Sequence, residues 1–243
     1  MKRLSFVFLI CILILSGCTS SKTIEDTTLT EGKLNTTAVS NIANSIIENT
    51  TKKDNETEKA EVVDLVDDKT VYFAEIDVKD YGVIKVKLNQ KEAPITVNNF
   101  ITLANDGFYD GLTFHRIMEG FMIQGGDPQG TGLGGSDKNI IGEFSANGVE
   151  NNISHVRGVI SMARQGENPY TGEKNYDTAS SQFFIVHEDS LFLDGQYAGF
   201  GEVIEGMEIV DSICEKAHPV DDNGTIIPEE QPIIKTIKII AEE

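Results

Sequence analysis

The densest chemistry in the chain lies in Phe114-His115-Arg116-Ile117-Met118-Glu119-Gly120-Phe121-Met122-Ile123-Gln124-Gly125-Gly126-Asp127. One guanidinium stands among Phe, Met and Gln, and paired glycines follow. Such a cluster could supply a fixed, charged hydrogen-bond donor walled by apolar side chains. On a regular strand Arg116 and Phe114 share a face, and so do Phe121 and Ile123 across a turn at Gly120. A bulged or twisted strand brings Phe121, Met122 and Gln124 around a common groove. The pattern alone is equally compatible with a core hairpin that leaves Arg116 on its surface. Other candidates are weaker. Gly130-Thr131-Gly132-Leu133-Gly134-Gly135 matches G-x-G-x-x-G, but no βαβ unit surrounds it, so it reads as a loop and not a nucleotide site. His115, His155, His187 and His218 show no paired metal spacing, and no metal or cofactor is expected. Asp221-Asp222-Asn223-Gly224 lacks the alternating ligands of a calcium loop and reads as a turn.

The elements that must position these residues follow from periodicity. Alternation predicts strands over Val71–Val78 and Gly82–Leu88, with a turn at Tyr81-Gly82. Pro94 marks a helix start, with Thr96 as an alternative cap. Val97, Phe100, Ile101 and Ala104 follow at helical spacing, and Gly107 is a natural stop. Short apolar strands are predicted at Leu112–Ile117, Phe121–Gln124, Gly158–Met162, Phe183–Val186, Gly199–Ile204 and Ile233–Ile240. A second helix is predicted at Met207–Glu215, with Met207, Val210, Ile213 and Cys214 on one side. Many short strands, Gly-rich turns and two helices make a mostly β barrel or sandwich with helical caps.

The Arg116 run resembles the signature of cyclophilins, the peptidyl-prolyl cis-trans isomerases. The resemblance continues through Gly158-Val159-Ile160-Ser161-Met162-Ala163, Ser181-Gln182-Phe183-Phe184-Ile185 and Leu193-Asp194-Gly195-Gln196-Tyr197. It closes with Phe200-Gly201 and the helix from Glu205-Gly206-Met207, and spans roughly Val71 to Ile240. It implies a closed eight-stranded antiparallel barrel capped by two α-helices. By position it makes Arg116 the catalytic arginine, with Gln124 holding it. Phe121, Met122, Phe184 and Leu193 become the walls of a proline pocket, and Gln182 a polar group that positions Arg116 and the substrate backbone. Ala163 and Arg164 become the segment that pairs with the substrate main chain. Phe192 stands where many members have Trp, which counts against tight cyclosporin binding. Tyr197 stands where many have His, and keeps a flat wall with a polar tip. Arg164 replaces an Asn that acts chiefly through its backbone, so little is expected to depend on its side chain. Residues Asn168 to Ala179 form an additional loop with no assigned role.

The implied chemistry needs no nucleophile, metal or general base. Twisting a peptide bond meets a barrier of ~18–20 kcal/mol, because amide resonance is lost. The twisted prolyl nitrogen gains a lone pair that a fixed guanidinium can bind, and this bond is absent in the planar ground state. The implied substrates are Pro-containing polypeptides, unfolded or exported. The alternative is a non-catalytic Pro-peptide-binding module, a chaperone or adhesin, suggested by the altered rim at Arg164, Phe192 and Tyr197 and by the loop.

The N-terminus reads as an address. Lys2 and Arg3 precede an apolar run, Leu4–Leu15, broken only by Ser5. The run is too short to span a bilayer core, which needs ~20 helical residues, and fits an export signal. Leu15-Ser16-Gly17-Cys18 resembles the lipobox of bacterial lipoproteins, in which the signal (here 1–17) is removed and the Cys carries lipid. Residues 18–69 then read as the lipidated Cys18 and a polar linker without aromatics, with a weak apolar patch at Ile42–Ile47. Residues 70–243 form the folded domain. Cys11 lies in the signal, so the mature chain keeps only Cys214 besides the anchor and forms no internal disulfide. Cys214 reads as a packed, inert side chain.

Charge bounds the partners. The full chain carries −19. Its folded part alone sets 12 Lys and Arg against 28 Asp and Glu. Nucleic-acid binding is excluded on that balance. The charge offers no affinity for an anionic bilayer either, so membrane attachment has to come from lipid on Cys18. The expected location is the extracytoplasmic face of a bacterial membrane, and the expected state a monomer.

Overall fold

The structure, a computed structural model, describes residues 69–242. The signal, Cys18, the linker up to residue 68 and the Ile42–Ile47 patch lie outside the described residues. The strands are β1 (Val71–Val78), β2 (Gly82–Leu88), β3 (Thr113–Met118), β4 (Met122–Asp127), β5 (Val159–Met162), β6 (Phe183–Val186), β7 (Gly199–Glu205) and β8 (Ile234–Glu242). Two α-helices join them, α1 (Pro94–Asn105) and α2 (Met207–Lys216). The strands form one antiparallel sheet in the order β3-β4-β6-β5-β7-β2-β1-β8.

Alternation builds the interior. Ala74, Ile76 and Val78 of β1 and Ile84, Val86 and Leu88 of β2 point inward and are almost fully buried. Phe100 from α1 meets Tyr109, Phe183 and Phe200 at ring-centre distances of 5.2–5.5 Å. Phe183 also meets Tyr109 and Phe114 edge to face, at 5.6 and 6.1 Å. Edge-to-face contacts set the ring quadrupoles favourably, so these aromatics lock helix to sheet. Cys214 is buried as expected, and burial, with Asp211 and Glu119 adding to it, pushes its thiol up to about 12.

Two expectations need correction. The sheet curls but does not close. Between β3 and β8 the seam consists of a single bridge, Thr113 with Ile233, and a few backbone bonds such as Phe114 N–H to the Pro232 carbonyl (2.9 Å). Pro232 has no N–H to return, and β8 begins only at Ile234. Farther along β3, Ile117 N–H instead bonds the Gly224 carbonyl (2.8 Å), and Ile226 N–H bonds the His115 carbonyl (3.0 Å). The edge of β3 is thus met by a turn and not by a strand. The second correction is the helix cap. Thr96 does not cap α1; the cap position is Ala93, which has no side-chain acceptor. The buried carboxylate of Glu143 takes that role from 47 and 48 residues away, accepting from Ile95 N–H (3.0 Å) and Thr96 N–H (2.7 Å). Pro94 at the first turn and Gly107 (φ 71°) past the end bound the helix as expected.

Candidate functional site

Period two also builds an outer face. Ile123, Phe183 and Ile185 enter the main core, while Met122, Phe184 and Val186 point the other way. With Val159 and Leu193 these form a second apolar cluster, against which Phe121, Ala163, Tyr197 and Met118 pack. The middle strands are therefore apolar on both faces, and the outer face carries this second cluster.

A bulge in β3 aims the arginine. The β3–β4 register shifts on both sides of Phe114: β4 passes two residues between Thr113 and Phe114, and β3 passes two between Phe114 and Arg116 while β4 advances by one. Phe114 and Ile117 point into the core, whereas Arg116 and Met118 share the outer face. The expectation that Arg116 and Phe114 share a face fails for this reason. Phe121 and Ile123 also separate, because Phe121 precedes β4 and turns out with Met122.

Arg116, Gln124, Phe121 and Met122 line a groove of about 280 Å³ together with Ala163, Arg164, Phe184, Leu193 and Tyr197. Phe192 lies on the rim, 72% exposed, its ring 5.5 Å from that of Phe121. Gln182 stands just outside and accepts a hydrogen bond from Gln124. A larger cleft of about 400 Å³ beside β2 is lined by Lys69, Lys87, Lys91 and polar neighbours and holds none of these residues.

Arg116 is held at three points. Its Nε donates to the Asn223 carbonyl (2.6 Å), Nη1 to Gln124 Oε1 (3.2 Å) and Nη2 to Met118 Sδ (3.2 Å). A guanidinium has five N–H groups, so two have no partner among the described residues. Partial burial pulls the group below its usual value, and Tyr197 and Asp221 oppose this. It remains a cation at neutral pH.

The amides beyond Arg116 are polarised from one end to the other. The carbonyls of Gly132 (3.1 Å) and Gly134 (2.7 Å) can only accept, so Gln182 presents Nε2 to them. Its Oε1 therefore faces Gln124 Nε2 (2.8 Å), and Gln124 Oε1 faces the guanidinium. Asp127 holds the glycine loop that supplies those carbonyls. Burial alone would raise its carboxyl, but backbone N–H groups of Gln129, Thr131, Gly134 and Gly132 outweigh this and hold it below the usual range. The G-x-G-x-x-G pattern thus serves an internal carboxylate.

Several contributors escaped the sequence reading. The residues Asp221-Asp222-Asn223-Gly224 mark a turn, but they do not show that its Asn223 carbonyl accepts from Arg116, 107 residues earlier in the chain. Gly224 sits at φ 83°, where a Cβ would approach the Ile117 carbonyl to 2.6 Å. Behind Phe184 lies a hydrogen-bonded chain that runs from the exposed Asp194 to the buried His155 and Ser161. Asp194 Oδ1 faces His155 Nδ1 (2.9 Å), and His155 Nε2 faces Ser161 Oγ (3.0 Å). The carboxylate only accepts, so the ring proton sits on Nδ1 and Ser161 donates to Nε2. The His155 ring stacks on Phe184 at 6.1 Å. His187 Nδ1 accepts from Gly120 N–H (2.9 Å), and Nε2 lies 3.2 Å from Asp211, which fixes the turn carrying Phe121. His115 is packed beside Arg116, and both its ring nitrogens are buried with no partner among the described residues. No residue pattern marked these contacts, which arise from distant parts of the chain.

This arrangement can grip a flat apolar ring and present two N–H groups of a fixed cation beside it. The family described as cyclophilin type peptidyl-prolyl cis-trans isomerase/CLD matches residues 73–240. The chain is 43% identical over 161 residues to a peptidyl-prolyl cis-trans isomerase B of Bacillus subtilis, covering 66% of this chain and 96% of that one. It is 43% identical over 134 residues to a peptidyl-prolyl cis-trans isomerase of Synechococcus elongatus, covering 54% and 82%. The crystal structure of a cyclophilin type isomerase from Cryptosporidium parvum, in the presence of the dipeptide Ala-Pro, superposes with a TM-score of 0.58 at 32% identity. That match covers 70% of this chain and 99% of the other. The curled eight-stranded sheet, the two helices and the matched span agree on one conclusion: the chain belongs to the cyclophilin-type peptidyl-prolyl cis-trans isomerases, an enzyme family of the isomerase class.

Proposed function

We propose that the chain isomerises X–Pro bonds in exported polypeptides at the cell envelope, with Arg116 as the catalytic residue. The observation that carries this reading is the Arg116 guanidinium, which lines the apolar groove, is held by Gln124, Asn223 and Met118, and keeps two N–H groups without a partner among the described residues. The proline ring packs among Phe121, Met122, Phe184 and Leu193, with Tyr197 as a side wall. Backbone groups at Ala163 and Arg164 hold the peptide extended. As the amide twists, the prolyl nitrogen becomes pyramidal, and an N–H of Arg116 bonds the new lone pair. That bond exists only near the transition state, so it lowers the barrier and does not merely tighten binding. A charge-assisted hydrogen bond contributes ~1.5–3 kcal/mol, about tenfold to a hundredfold in rate. The dry walls must supply the rest by immobilising the ring and strengthening that bond. The Ala-Pro dipeptide used with the Cryptosporidium relative supports a prolyl ligand of this size. The test is isomerisation of a short X–Pro peptide by residues 70–243, wild type against Arg116→Ala. Equal rates would refute the mechanism.

The envelope location rests on the N-terminal sequence. The positive residues, apolar run and Leu15-Ser16-Gly17-Cys18 follow one another in the order of a lipoprotein signal. Lipid on Cys18 holds the protein at the outer face of the membrane. A linker of about 50 residues, spanning on the order of 40 Å as a coil, sets the monomeric domain clear of the surface. Cys18→Ala should move the protein from the membrane fraction to the medium or periplasm. A mutant that stays with the membrane refutes the anchor.

A further inference from the structure

The additional loop has a specific attachment to the groove, and it runs through Arg164. Within itself the loop is a tight polar turn. Asn168 Oδ1 accepts from Tyr170 N–H (2.9 Å) and Thr171 N–H (3.2 Å), and Asn175 Nδ2 donates to the Gly166 carbonyl (2.7 Å). It buries little apolar surface of its own, and Tyr170 is 96% exposed. Asp177 fastens its base to the 140–147 segment by accepting from Gly142 N–H (3.0 Å) and Asn147 Nδ2 (2.8 Å).

The Arg164 side chain joins that loop to the groove wall. Its guanidinium carbon lies 5.4 Å from the ring centre of Phe144, 5.2 Å from Tyr176 and 4.7 Å from Tyr197. Nε donates to the Gln196 carbonyl (3.0 Å), and Nη1 to the carbonyls of Gln165 (2.9 Å) and Lys174 (3.3 Å). One planar cation thus touches three rings and three carbonyls from three stretches of chain. Phe144 and Tyr176 meet edge to face at 5.3 Å, and so do Tyr197 and Phe184 at 5.8 Å. The contacts run without a gap from the loop, through Arg164 and Tyr197, to Phe184 in the groove. A lysine cannot reproduce this, because its point charge stacks less well and its ammonium cannot fork between carbonyls.

We propose that Arg164 is a positioning residue that clamps Tyr197 as a fixed groove wall and makes the 166–178 loop part of the substrate-binding unit. The sequence expectation that little depends on this side chain is thereby replaced. The wall contacts planar and twisted substrate alike, so loosening it weakens binding more than turnover. The kinetic arm of the test rests on the isomerase reading above, and the proteolytic arm does not.

The experiment compares wild type, Arg164→Ala, Arg164→Lys, Tyr176→Ala and the Arg164→Ala/Tyr176→Ala double variant. Thermal unfolding verifies that each is folded. With an X–Pro tetrapeptide, Arg164→Ala should raise KM about fivefold with kcat within about twofold. Arg164→Lys should fall in between. Tyr176→Ala, which does not line the groove, should raise KM in the same direction, and the double variant no further than Arg164→Ala. Trypsin cleavage after Lys174 should be about tenfold faster in both single Ala variants, because the loop has lost its clamp. A raised KM in Arg164→Ala with no effect of Tyr176→Ala would mean direct substrate contact and overturn the clamp. An unchanged KM in Arg164→Ala, or unchanged Lys174 cleavage, overturns it equally. A wild type that protects its loop but turns over no peptide sinks the isomerase reading and leaves the clamp standing.

Discussion

Gln124 is the joint between the Arg116 cation and the rest of the fold, and its removal gives the sharpest test of the proposed site. Its Oε1 accepts from Arg116 Nη1 at 3.2 Å, and its Nε2 donates to Gln182 Oε1 at 2.8 Å. Gln124→Ala cuts both bonds. The bond to the cation is the stronger, about 1.5–3 kcal/mol. Arg116 keeps its 2.6 Å bond to the Asn223 carbonyl, so the loss should fall at the low end. That is about tenfold in rate. It should appear in kcat with KM little changed, since in the proposed mechanism the guanidinium bonds the prolyl nitrogen only in the twisted state. Gln124→Glu separates orientation from simple presence of an acceptor. Glutamate still faces Arg116, but it cannot donate to Gln182. Flipping Gln182 to compensate would aim its oxygen at the Gly132 and Gly134 carbonyls. Gln124→Glu should therefore also lose activity, despite a closer electrostatic match to the arginine. The assay is isomerisation of an X–Pro tetrapeptide, with thermal unfolding alongside. Full activity in Gln124→Glu, or a loss confined to KM in Gln124→Ala, would refute the polarised chain.

Further outcomes follow from other parts of the molecule. Desolvation holds His155 below its usual pKa even though Asp194 opposes this, so the unfolded chain takes up a proton first as pH falls. Stability from this group is complete above the unfolded value of about 6.5 and declines as pH drops toward the lower folded value; the urea midpoint should fall from pH 7 to pH 5, and less steeply in His155→Gln. Glu143→Ala strips one buried and one part-buried N–H group of α1 of their acceptor and should cost about 2–3 kcal/mol in urea unfolding, with Glu143→Gln costing less. Phe183 is fully buried at the centre of the aromatic cluster, and Phe183→Ala should cost about 3–5 kcal/mol by the same measurement.

Most of the element order was legible without coordinates. Short apolar runs and helical spacing set out the eight strands and two helices to within a few residues, because the side-chain period is a property of neighbouring positions. The ordered cyclophilin-like blocks named the groove residues, and nine of them line it. What stayed hidden depends on residues far apart in the chain. The bulge that turns Arg116 away from Phe114 leaves no mark in a strand-like pattern. Glu143 caps a helix 47 residues earlier, and Asn223 holds an arginine 107 residues earlier. Closure was misjudged because a seam is decided by where two distant strands begin and by the N–H that Pro232 lacks.

The sequence by itself therefore determined the building blocks and the chemical type of the groove. Each is a matter of residue type and local period. Tertiary structure decided which way Arg116 points, how Gln182 and Gln124 are oriented, and that Arg164 ties a polar loop to Tyr197. Those are geometric facts about side chains that meet only after folding, and hydrogen-bond direction is set by whichever acceptor or donor the fold brings to the far end.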